Sequence, residues 1–115
     1  MEDTIALIDP TSTPSRIFSV RGTRVILDSD LAELYGVATK RLNKQVRRNP
    51  QRFPADFAFL LTPEEWEKNR QGRHRKFLPY VFTEHGALMA AGLLNSRRAI
   101  EVSILIIRAA HGIPT

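Results

Sequence analysis

Cysteine is absent from the 115 residues. That excludes a disulfide scaffold, a thiolate zinc site and a cysteine nucleophile, and it fits a reducing compartment. Long apolar runs are absent too. The most apolar stretch, Ala99 to Ile107, is interrupted by Glu101 and Ser103 and is too short to span a bilayer. The opening MEDTIALIDP has neither a basic start nor an extended apolar segment, so no secretory signal is expected. There are no internal repeats. What remains is 43% hydrophobic and 25% charged residues, the balance of a globular protein with length for one core rather than two.

Acidic residues are locally scarce. The chain carries seventeen Lys and Arg against twelve Asp and Glu, a formal charge of +5. Residues 40–76 hold eleven of those cations and only four acids, whereas the rest holds six cations and eight acids. Positive charge is therefore segregated, and an electrostatic footprint for a polyanion, most commonly nucleic acid, belongs on residues 40–76.

Residues 1–15, rich in Thr, Ser and Pro, read as a flexible leader, residues 16–111 as the folded domain and 112–115 as a tail. IFSVRGTRVILD has two β-branched runs around Arg21-Gly22-Thr23, the pattern of a β-hairpin. Asp28, Ser29 and Asp30 each offer a side-chain oxygen to cap a following helix carrying Leu31, Ala32, Leu34 and Tyr35. Gly36 ends that helix, and Thr39 is the expected cap of a second over residues 40–49, halted by Pro50. Helix, glycine turn, helix is the order of a helix-turn-helix.

At about 100° per residue, Leu42 and Val46 fall on one side of the second helix. Lys40, Arg41, Lys44, Arg47 and Arg48 fan over the other, with Asn43 and Gln45 on opposite flanks. A solvated helix face usually mixes signs, and this one contains no acid. RFPADFAFLLT reads as a loop and a strand, and Thr62-Pro63-Glu64-Glu65 as the start of a short helix carrying Trp66. KNRQGRHRK, residues 68–76, reads as a basic surface loop, and FLPYVF as a strand able to pair with FAFLL. Such a loop beside a helix-turn-helix resembles a wing; a merely solvated basic loop is the alternative. Thr83 caps a helix over EHGALMAAGLL. RRAIEVSILIIRAAH reads as a final helix, apolar nearly all round except for Arg97, Glu101 and Arg108, although its β-branched residues leave a strand possible.

The succession DSDLAELYGV, KRLNKQVRRN, RFPADFAFLLT, LPYVFTEHGALMAAGLLNS and AIEVSILIIRA resembles the KilA-N type domain. More closely it is similar to the branch named after the N-terminal domain of a phage open reading frame six. The likeness spans residues 17–108, and RFPADF and FTEHG in this order are its most specific blocks. It implies a phage-derived, bacterial, DNA-binding module with an α+β fold, a small helix-turn-helix or winged-helix-like domain with short β-hairpins and two C-terminal helices. A role in transcriptional or phage-related regulation, a cytoplasmic, nucleoid-associated location and a second domain downstream are further implications. The segment between Trp66 and Leu78 is shorter than is common in the branch, and AAHGIPT stands where the last helix usually continues, which suggests a truncated gene or an isolated module.

Double-stranded DNA is thus the expected partner. Lys40, Arg41, Lys44, Arg47 and Arg48 would straddle a major groove and neutralise phosphates, and Asn43 or Gln45 would read an adenine edge. Arg70, Arg73, Arg75 and Lys76 would hold the flanking backbone or dip into the minor groove. No cofactor, metal, small-molecule substrate or membrane is expected. A homodimer through residues 97–111 is compatible with this, and a protein-interaction module using that apolar helix, without sequence-specific DNA reading, is the rival. RNA is disfavoured, since the aromatic stacking motif of the commonest single-strand module is lacking.

Enzymatic chemistry has little to stand on. Glu84-His85 lacks the second His one turn on that a metalloprotease helix needs, and neither a nucleophile elbow nor a phosphate-binding Gly-rich loop occurs. Asp28, Asp30 and Glu33 cluster as a nuclease site would, but capping and a solvated helix face account for them more simply.

Overall fold

The computed structural model describes residues 16–111; the expected leader, 1–15, and tail, 112–115, lie outside the described residues. The described residues open with the expected hairpin. Strands β1 (Ile17–Val20) and β2 (Thr23–Leu27) pair antiparallel, Ile17 opposite Ile26 and Val20 opposite Thr23. Arg21 (φ 56°) and Gly22 (φ 76°) both adopt positive φ, the backbone that matches a two-residue turn to the twist of its strands.

Helix α1 (Asp28–Tyr35) follows β2 directly. Its N-cap is Leu27, and no side chain caps it, so the capping role expected of Asp28, Ser29 or Asp30 is not the one these residues play. Gly36 ends α1 in the left-handed region (φ 74°), and its N–H donates back to Glu33 O at 3.1 Å. Helix α2 (Thr39–Arg48) starts one residue earlier than expected, with Ala38 at the N-cap and Thr39 inside the helix. It gives way to a 3-10 turn, Pro50–Arg52, where proline stops it.

Strand β3 (Ala58–Leu60) leads to helix α3 (Pro63–Asn69). The α3 start is a full capping box: Thr62 Oγ1 accepts from Glu65 N at 3.2 Å and Glu65 Oε1 accepts from Thr62 N at 2.9 Å. After the basic loop come β4 (Tyr80–Phe82), α4 (Glu84–Leu94) and α5 (Arg97–Ala110). The last element is a helix despite its β-branched residues, capped by Ser96 Oγ on Ala99 N at 3.0 Å.

The sheet order is β1-β2-β4-β3, all antiparallel, so β4 lies in the middle between β2 and β3. Both faces are covered. Ile26, Ala58 and Phe82 point into a core with Leu31, Tyr35, Leu42, Val46, Ala87, Ala90, Val102 and Ile106 from α1, α2, α4 and α5. Val25, Leu27 and Val81, the alternate strand positions, pack with Leu61 and Trp66 on the other side. Helix α3 is thereby held to the sheet through Trp66.

RFPADF and FTEHG meet in space. Phe53 and Phe82 make an edge-to-face contact with ring centroids 6.1 Å apart. Phe57 O accepts from Thr83 N at 2.9 Å and from Thr83 Oγ1 at 3.1 Å, while the same Oγ1 caps α4 through Gly86 N. A Cβ on Gly86 would stand 2.0 Å from Phe57 O, so only glycine lets α4 come this close.

Candidate nucleic-acid interface

Leu42 (0% exposed) and Val46 (6%) anchor α2 in the helical core, as their spacing predicts. The opposite face of α2 carries Lys40, Arg41, Lys44, Arg47 and Arg48, all exposed. Among the described residues, none of the five has a carboxylate partner or a side-chain hydrogen bond. Arg52, in the 3-10 turn after α2, is exposed and likewise unpaired among them. It lengthens the same cationic front, and its position in the basic segment 40–76 is the only sequence signal for it.

The flanking amides differ. Asn43 is half-buried and its Nδ2 donates to Asp28 Oδ2 at 2.9 Å, while its Oδ1 is buried without a hydrogen-bond partner among the described residues. Gln45 lies on the other flank, where its Oε1 is 3.4 Å from Asn49 Nδ2. Gln45 thus keeps a looser tether than Asn43.

The loop cations are engaged with acids. Arg75 Nη1 donates to Asp28 Oδ1 at 2.7 Å and Nη2 to Oδ2 at 3.4 Å. Arg73 Nη1 donates to Asp30 Oδ2 at 3.0 Å, a carboxylate that also lies 3.7 Å from Arg16. Arg70 donates to Glu67 Oε2 at 3.1 Å and to Arg73 O at 2.9 Å. Lys76 is exposed and lacks a carboxylate partner among the described residues; its ammonium sits 5.5 Å from the Phe77 ring centroid. The segment is irregular only from Arg70 on, since Lys68 and Asn69 are the end of α3, and two of its arginines are drawn onto α1.

This reverses one expectation. Asp28 (1% exposed) and Asp30 (8%) are buried rather than solvated caps, because burial of an ionised carboxylate is tolerable when arginines and N–H groups surround it. Asp28 also accepts from Ser29 N at 2.7 Å and lies 3.4 Å from Tyr80 N. One carboxylate therefore gathers α1, α2, the basic loop and the start of β4. The third acid of the cluster, Glu33, is exposed and pairs with Arg16 at 2.5 Å.

His74 lies within the basic loop, its Nδ1 3.4 Å from Arg70 Nη1, and His85 lines a pocket that Arg52 also borders. The His85 ring stacks on Phe57 at 5.4 Å, and His111 Nε2 lies 2.5 Å from Glu84 Oε2. Among the described residues no group of three or more His, Asp or Glu is arranged to hold a metal ion, and no helix is long and apolar enough to cross a membrane.

The composition of FLPYVF predicts a strand that includes Phe77. The strand begins instead at Tyr80, and Phe77 stands outside it, 72% exposed.

Comparison with protein families matches the ORF6N domain to residues 15–93, from the residue before Arg16 to near the end of α4, with α5 beyond the matched span. Neither the curated proteins nor the solved structures include a match to the chain.

Proposed function

The chain belongs to the ORF6N domain family, and from that premise we propose that it is a phage-related module that binds double-stranded DNA through the outer face of α2. The observation that carries this reading is the contrast in pairing. Arg16, Arg21, Arg70, Arg73 and Arg75 each have a carboxylate within reach, whereas the five cations of α2 have none among the described residues. Unpaired cations on one rigid face are free to replace the counterions of a phosphate backbone. Such a helix fits the major groove, where Gln45 has the freer amide for an adenine edge and an Arg suits guanine.

Asn43 serves in this reading to hold α2 against Asp28 more than to touch bases. Arg73 and Arg75 brace the loop, as does Arg70 through Glu67 and Arg73 O, and Lys76 supplies a backbone contact at its margin. In this reading the binding serves regulation of transcription or of a phage function at the nucleoid, with no catalytic or cofactor role assigned.

Arg47→Ala combined with Arg48→Ala tests the assignment by gel shift over a salt series. Affinity for every duplex falls, and the slope of log K against log salt flattens by roughly 2, since each phosphate no longer neutralised removes about 0.9. An unchanged slope would refute the assignment.

A second reading adds self-association. Ile100 (45% exposed) and Ile104 (47%), one helical turn apart on α5, form an uncovered apolar stripe. Pairing of two copies along α5 would present two α2 helices to two half-sites. Light scattering of the parent and of Ile100→Glu with Ile104→Glu decides it: only a parent that loses mass on substitution supports the dimer.

A further inference from the structure

We propose that Phe77 is a base-stacking residue, its ring inserting at a base step of the duplex beside the α2 front. The inference deepens the DNA-binding reading and rests on it. Phe77 is 72% exposed, whereas the other exposed large apolar residues, Leu60, Leu88, Ile100 and Ile104, lie between 45% and 49%. Its sequence neighbours are Arg73, His74, Arg75 and Lys76. Arg73 and Arg75 are paired with Asp30 and Asp28, but Lys76 has no carboxylate among the described residues and its ammonium lies 5.5 Å from the ring centroid. An exposed aromatic ring beside such a cation matches a polyanion that also offers π-faces, and a nucleic acid is such a partner.

The span bearing the ring is tethered at both ends. Two residues before it, Arg75 is bound to Asp28, and three residues after it, Tyr80 N lies 3.4 Å from the same carboxylate. At no more than about 3.6 Å per residue, Phe77 stays within about 11 Å of both anchored residues. Asn43 of α2 is bound to that carboxylate as well, so the span bearing the ring is tethered to the helix bearing the cations. The ring is thus held close to the proposed groove contact without having to order a long loop on binding.

Insertion of a phenyl ring releases no counterions, so it separates experimentally from the phosphate contacts. The probe is a short mixed-sequence duplex with 2-aminopurine at a TA step, the step most easily unstacked. The parent chain, Phe77→Ala and Phe77→Trp are compared for affinity across a salt series and for 2-aminopurine fluorescence, with circular dichroism reporting their folding. Phe77→Ala should weaken binding several-fold, less than a stack on a single strand is worth because unstacking the step offsets part of it, with an unchanged salt slope. Phe77→Trp should restore the affinity, and the fluorescence should rise with the parent and Phe77→Trp but not with Phe77→Ala. Equal affinity and fluorescence for parent and Phe77→Ala overturns the stacking role alone. So does a loss of affinity in Phe77→Ala when the parent leaves the fluorescence unmoved, the pattern of a ring that docks elsewhere. A parent that binds no duplex overturns the DNA-binding reading and this proposal together.

Discussion

Arg75 Nη1 lies 2.7 Å from Asp28 Oδ1, and the carboxylate it meets is 1% exposed. The two residues are 47 positions apart in the chain. Their contact fastens the basic loop to the first residue of α1, next to the amide through which Asn43 holds α2. Fold and candidate interface therefore share one ion pair.

Removing a buried acceptor costs its donors a partner. Asp28→Ala is expected to cost about 1–3 kcal/mol, because Asn43 loses its acceptor while Arg75, 23% exposed, can turn to water. Urea denaturation measures it, and a double-mutant cycle with Arg75→Met should show that the two losses are not additive. Additive losses would mean that the pair is not energetically coupled.

Arg75→Ala and the α2 substitutions should part company in the same assays. Arg75→Ala lowers the unfolding midpoint and leaves most of the salt dependence of duplex binding. Lys44→Ala with Arg47→Ala leaves the stability within about 0.5 kcal/mol of the parent, as surface changes do, and flattens the salt dependence.

Two glycines of α4 should respond oppositely to alanine. Gly86→Ala drives a methyl into Phe57 O and is expected to destabilise by the upper part of about 1–3 kcal/mol. A methyl on Gly92 would meet nothing within 4 Å, so Gly92→Ala should gain about 0.5–1 kcal/mol. Thermal denaturation of the two variants checks both signs.

The hairpin turn has an acid signature. Arg21 Nε donates to Glu65 Oε2 at 2.8 Å and Nη2 to Oε1 at 3.0 Å, and this hydrogen-bonded guanidinium, helped by Thr62 N, lowers the Glu65 carboxyl to about 2. A depressed acid stabilises the fold above its unfolded value and loses that contribution as pH falls. The window runs from the ordinary value of 4.5 down to about 2. Carboxyl NMR titration should place Glu65 near the bottom of it, and Arg21→Gln should return the group toward the ordinary range.

Local signals are legible where the chemistry is local. Leu42 and Val46 on one stripe, Gly36 past a helix end, the Thr62–Glu65 box and Thr83 before α4 are decided by residues within a turn or two of each other. Asp28 is not legible, since an acid before a helix looks like a cap until an arginine 47 residues on arrives to bury it. The exposure of Phe77 is only partly legible: Pro79, which lacks an N–H for a ladder, hints that pairing starts after it, while the partners of β4, opposite Ile26–Leu27 and Ala58–Leu60, limit the strand to the last three residues of FLPYVF. The α2 cations are legible as a face, but their lack of carboxylate partners among the described residues depends on where the acids of the fold end up.

The central strand arrives late. While a ribosome is still making residues 80–82, β2 and β3 have no neighbour to join them, and Phe82 is missing from beneath the helices. Nascent chains cut short before that point would keep an open β2 edge and aggregate or be degraded rather than act as smaller binders. The seating of the positively charged helix, whose Leu42 and Val46 share a core with Phe82, thereby depends on the segment that seals the sheet.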